Sequence, residues 1–75
     1  MSNIINLSKL QSIGAELLNH YLFVACGNEL YNMRFGEAYL ITHSELSNLI
    51  YFSYGATLSI NETKIVYKYM ISKIK

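Results

Sequence analysis

Three times along this chain a Ser or Thr is followed three residues later by Gln or Glu, at the head of a helix-period apolar pattern. The pairs are Ser8/Gln11, Thr42/Glu45 and Ser59/Glu62. In a capping box of this spacing each side chain satisfies a backbone amide that the first helical turn leaves without a partner. Three such starts predict three helices. They leave residues 21–41 between the first and the second, a stretch rich in the aromatic and aliphatic types that strands favour. The predicted class is α+β: an N-terminal helix, an antiparallel β-hairpin or three-stranded meander, then two C-terminal helices in one small domain.

Local signals refine each element. At about 100° per residue, Leu10, Ile13, Leu17, Leu18 and Tyr21 share one arc of a helix over 9–20, while Lys9, Gln11, Ser12, Glu16 and Asn19 share the other. Ile4, Ile5 and Leu7 precede the cap, where they extend the helix or staple its first turn. Gly27-Asn28 between two β-rich runs predicts a tight hairpin, because Gly accepts the positive φ of a primed turn. Tyr31, Met33 and Phe35 alternate with Leu30, Asn32 and Arg34, so one strand face is expected to be buried and the other solvated. Gly36-Glu37 is read as a second turn into a short strand over 38–41. A second helix over 43–54 closes at Gly55, although Leu-Ile-Tyr-Phe within it fits a strand equally well.

The last helix, over 60–73, is apolar on far more than an ordinary stripe. Ile65, Val66, Tyr67, Tyr69, Met70, Ile71 and Ile74 span roughly 240° of it, counted at about 100° per residue. Such a helix is either central to its own fold or shared with another chain. In a chain of 75 residues with 52% hydrophobic and 15% charged residues, sharing is the expectation, because so short a chain buries only roughly 60% of its surface. Self-association and a larger protein partner are therefore expected. The anchors proposed are Tyr51, Phe52, Tyr67 and Ile71, which fall off the main core faces of their helices.

The inventory for catalysis is thin. There is no aspartate, and the five glutamates stand apart, two of them already used as capping partners. No glycine-rich phosphate loop is present. Cys26, His20 and His43 are the only soft ligands and lack any metal or nucleophile spacing, so they read as a small buried thiol, a helix rim and a first-turn residue. No enzyme activity, metal or cofactor is expected. A single cysteine allows no intrachain disulfide, and residues 1–14 lack the pattern of a signal peptide. The longest uncharged stretch, 46–61, is too short to span a membrane, so a cytoplasmic setting is expected.

The alternative partner is nucleic acid. Lys64, Lys68 and Lys75 recur on one strip of the last helix, where they would contact phosphates. Against it stand a net charge of +1 and a single arginine, which leaves little for reading bases. The leading expectation is a non-catalytic homodimer that binds and modulates a larger protein. Richness in Ile, Asn, Tyr and Lys suits an AT-rich genome and an inhibitor-like accessory protein of a phage or mobile element.

Overall fold

A computed structural model of the chain describes residues 6–75. The order of elements is α1 (Leu7–His20), β1 (Phe23–Cys26), β2 (Glu29–Arg34), β3 (Glu37–Ile41), α2 (His43–Tyr54) and α3 (Ile60–Ile74). Two of the three capping boxes form. Thr42 Oγ1 accepts from the Glu45 amide at 3.1 Å and Glu45 returns by accepting from the Thr42 amide at 3.0 Å. Ser59 and Glu62 repeat the exchange at 3.1 and 2.9 Å. The first box does not form. Asn6 caps α1 instead, its Oδ1 accepting from the Lys9 amide at 2.8 Å, and Ser8 lies inside the first turn. Asn is among the strongest N-caps, so the helix begins at Leu7, two residues before the expected start. Of the residues expected to extend or staple the helix, Leu7 is its first residue and is 56% exposed, while Ile4 and Ile5 lie outside the described residues.

The strands form one antiparallel sheet of order β1-β2-β3. Gly27, at φ 61°, is the first of two turn residues between β1 and β2, while Asn28 keeps a negative φ; this is the type II′ pattern. The second turn is centred on Phe35-Gly36 rather than Gly36-Glu37, with φ of 52° and 78° at the two residues, as a type I′ turn requires. The physical reason is register. This turn sets Leu30 opposite Ile41, whereas the expected one would have set Asn32 there. Pairing the two aliphatic side chains on the core side outweighs the unfavourable backbone at Phe35.

All three helices lie on one side of the sheet. α3 is the centre of the molecule, packing against α1, α2, β1 and β2, and α2 also meets β3. The middle of the apolar arc of α3, Val66, Tyr67 and Met70, is thus covered from within the chain, while Tyr69, Ile71 and Ile74 are half-buried and Ile65 stays 40% exposed. Val66, Tyr67 and Met70 of α3 join Leu10, Ile13 and Leu17 of α1, Leu46 and Ile50 of α2, and Phe23 and Leu30 of the sheet in one core. Residues 49–53 are helical, and α2 ends at Gly55 in the left-handed conformation, φ 68°. Gly14 lets α1 approach α3 closely: a Cβ there would stand 3.0 Å from Tyr69 Cδ2 and 3.2 Å from Met70 Cγ.

Candidate interaction surfaces

With every helix on one side, none of the described residues packs over the other face of the sheet. Cross-strand partners share a face, so Phe23, Ala25, Leu30, Asn32, Tyr39 and Ile41 turn inward. Val24, Tyr31, Met33, Ala38 and Leu40 turn outward, and Leu22 precedes them on β1. The buried face of β2 is therefore that of Leu30, and the more apolar-looking Tyr31/Met33 face is the outer one. Leu22 is 67% exposed, Leu40 43% and Val24 38%. Charged residues stand only at the strand ends: Glu29, Arg34 and Glu37. Tyr31 donates to Glu29 Oε1 at 2.9 Å, and that bond, with lesser contributions from burial and the carboxylate charge, raises the phenol above its ordinary pKa. The outer face thus carries apolar side chains from all three strands, and Glu29 is the one charged strand residue on it.

The β2–β3 hairpin tip adds a second feature. Phe35 is 95% exposed and holds a φ of 52°. A bulky side chain in the left-handed region costs roughly 1–2 kcal/mol. No burial of the ring offsets that cost within the chain. At the other end of β3 a surface pocket of ≈ 340 Å³ is lined by Glu29, Leu40, Ile41, Thr42, His43 and Tyr67. A further pocket of ≈ 380 Å³ lies between α1 and α2, against Glu16, His20, Tyr21 and Tyr54. There, desolvation first and a hydrogen bond to the Glu16 carboxylate second push the Tyr54 phenol up to about 12.

The anchors expected on the helices divide. Tyr51 and Phe52 are exposed and form an edge-to-face pair, ring centroids 5.6 Å apart. Tyr67 is not available to a partner; it is 5% exposed, and its hydroxyl accepts from the Leu30 amide at 2.8 Å and donates to the Ile41 carbonyl at 2.7 Å. It falls off one helical arc only because α3 is covered on more than one side. Ile71 is half-buried against the core. Reading each helix separately found Tyr51 and Phe52 but missed the outer sheet face and Phe35, for which the period-2 pattern of 30–35 was the available signal.

The lysine strip is present. Lys64, Lys68 and Lys75 are exposed on α3 and at its end, and Lys75 Nζ donates to the Gly27 carbonyl at 2.8 Å, fastening the helix terminus to the first hairpin. His20 Nδ1 is 2.8 Å from the Glu16 carbonyl, and His43 packs edge-on against Tyr67 at 4.4 Å. Cys26 is exposed at the end of β1, not buried as its residue type suggested, because its position turns it to the outer face. Among the described residues, no three His, Cys, Asp or Glu side chains gather as a metal site would require, and no helix is long and apolar enough to cross a membrane.

Set beside protein-family models, curated proteins and solved structures, the chain matches none of them.

Proposed function

We propose that this chain is a non-catalytic interaction protein of the cytoplasm that self-associates and binds a larger protein, modulating it as small inhibitors do. The observation that carries the reading is the outer face of the sheet, where Leu22, Val24, Tyr31, Met33, Ala38 and Leu40 form an apolar surface whose one charged strand residue, Glu29, stands at its end. Contiguous exposed apolar surface of this kind marks interaction sites in small proteins. The exposed Tyr51–Phe52 pair adds a second aromatic surface on α2. An origin in a phage or mobile element belongs to this proposal and rests on composition.

The test is capture from a lysate of the source cells, treated with nuclease and washed in high salt. Wild-type chain is expected to retain a stoichiometric protein that the Val24→Lys/Met33→Lys double variant releases while keeping its native circular dichroism. Equal retention by both would remove the outer face from the reading. The nucleic-acid alternative is favoured by one observation, the common exposed strip of Lys64, Lys68 and Lys75. Changing all three to Glu is expected to leave the captured protein in place. If it abolishes function while that protein still binds, the lysine strip takes precedence.

A further inference from the structure

The edge of the sheet shows how two copies meet, and this step rests on the self-association proposed above. The Met33 amide donates to the Leu22 carbonyl at 2.9 Å, so odd-numbered residues of β2 turn their backbone groups toward β1. Leu30, Asn32 and Arg34 therefore turn theirs toward Ile41, Tyr39 and Glu37 of β3. That leaves the N–H and C=O groups of Ala38 and Leu40 pointing away from the sheet, along an open edge. Natural edges are blunted by charged side chains, proline or a bulge, and the one charge of β3, Glu37, stands at its first position. From Ala38 to Ile41 β3 has none of these: its register runs without interruption, it contains no charge or proline there, and Ala38, Tyr39 and Leu40 are exposed.

Two observations select a second copy of this chain as the occupant. Antiparallel pairing of β3 with itself about Tyr39 sets Ala38 opposite Leu40 of the second copy, twice by symmetry, for about four backbone hydrogen bonds. Glu37 then lies opposite Ile41, so the two carboxylates stand at opposite ends, whereas parallel pairing would set them side by side. Because Glu37 lies opposite Ile41, the Phe35-Gly36 turn of each copy comes to the end of β3 in the other, where the ≈ 340 Å³ pocket lined by Leu40, Ile41, Thr42, His43 and Tyr67 opens. A ring that is 95% exposed on a strained backbone thereby gains a seat in each half of the dimer. We infer that β3 pairs antiparallel with β3 of a second copy about Tyr39, joining two sheets into one of six strands and docking each Phe35 beside the other copy's His43.

The experiment is analytical ultracentrifugation over a wide concentration range, paired with amide hydrogen exchange. Wild-type chain should dimerise, and the Ala38 and Leu40 amides should gain protection as concentration rises. Ala38→Pro removes an outward donor that the internal ladder does not use, and should be monomeric with native circular dichroism. Should that variant fail to fold, Phe35→Asn serves, because Asn-Gly suits a type I′ turn. It should weaken the dimer at least about tenfold without lowering the urea midpoint of the dilute chain. A dimer that survives Ala38→Pro, with exchange at 38 and 40 independent of concentration, overturns edge pairing and leaves self-association through another surface. A chain monomeric at its highest attainable concentration overturns both.

Discussion

Removing one oxygen atom, by Tyr67→Phe, tests how the helices are fastened to the sheet. The Tyr67 hydroxyl accepts from the Leu30 amide at 2.8 Å and donates to the Ile41 carbonyl at 2.7 Å, and Leu30 and Ile41 are register partners at the last rung of the β2–β3 ladder. One side chain of α3 thus straddles two strands from beneath. Each bond contributes about 1 kcal/mol net, and a buried amide left without a partner costs about 1–3 kcal/mol more. Leu30 is fully buried, so water cannot replace the lost acceptor. The expected loss is about 2–3 kcal/mol, against a total of roughly 4–11 kcal/mol for a chain of this length at typical stability per residue. The midpoint of thermal unfolding should fall by roughly 10–20 °C. Far-ultraviolet circular dichroism in urea and on heating, at one fixed protein concentration, reads the change. Tyr31→Phe is the control: its hydroxyl meets only the exposed Glu29, and it should change stability by less than about 0.5 kcal/mol. A Tyr67→Phe loss no larger than that of the control would show that the hydroxyl is not what ties α3 to the sheet.

Two other perturbations follow from single groups. Thr63 is fully buried in α3 and its Oγ1 finds no hydrogen-bond partner among the described residues, so Thr63→Val, which keeps the shape and removes the hydroxyl, should raise stability by about 1 kcal/mol; an unchanged or lower urea midpoint would mean that the hydroxyl is satisfied in solution. The phenol of Tyr54, held at about 12 in the fold against an ordinary 10.0, favours the folded state only while it stays protonated, so its contribution is whole below pH 10 and is lost as pH rises toward 12. The residue is 37% exposed, which keeps the effect modest, and Tyr54→Phe should flatten this part of the alkaline decline in urea midpoint; a decline identical to wild type would assign it to other groups.

Local chemistry made much of this fold legible. Thr42/Glu45 and Ser59/Glu62 carry their helix starts in the sequence, as Gly55 carries the end of α2, because each element needs only residues within one turn. Ser8/Gln11 has the same spacing, but Asn6 supplies a competing cap two residues earlier, and spacing alone does not rank two caps. What depends on distant partners was not legible. The face of β2 that is buried is decided by Phe23 and Ile41 across the sheet, not by the alternation of Tyr31 and Met33, which is apolar on the wrong side. The breadth of apolar surface on α3 was correctly read, but periodicity measures how wide such a surface is and not what covers it. Tyr67 shows the consequence: off one helical arc, yet buried and bonded to two strands.

Much of the apolar surplus lies on the sheet and its hairpins, with Ile60 and Ile65 left exposed on the last helix. Eleven hydrophobic side chains are buried and twelve large ones stand exposed among the described residues, so the core cannot be what requires them all. Polar β-formers at positions 24 and 40 would leave the inner face untouched, since period-2 alternation separates the two faces completely. The fold therefore does not need Val24 and Leu40 to be apolar, and it does not need Phe35 at a position that favours Asn or Gly. These residues share one structural unit, the sheet with its open edge and its projecting hairpin. A six-stranded sheet formed through β3 would double the width of the outer face without covering it, since edge pairing uses backbone groups in the plane of the sheet and leaves side chains of both copies facing outward. Self-association and partner binding, as proposed, would then use different parts of the same three strands, and a dimer would present a larger protein with a surface that neither copy holds alone.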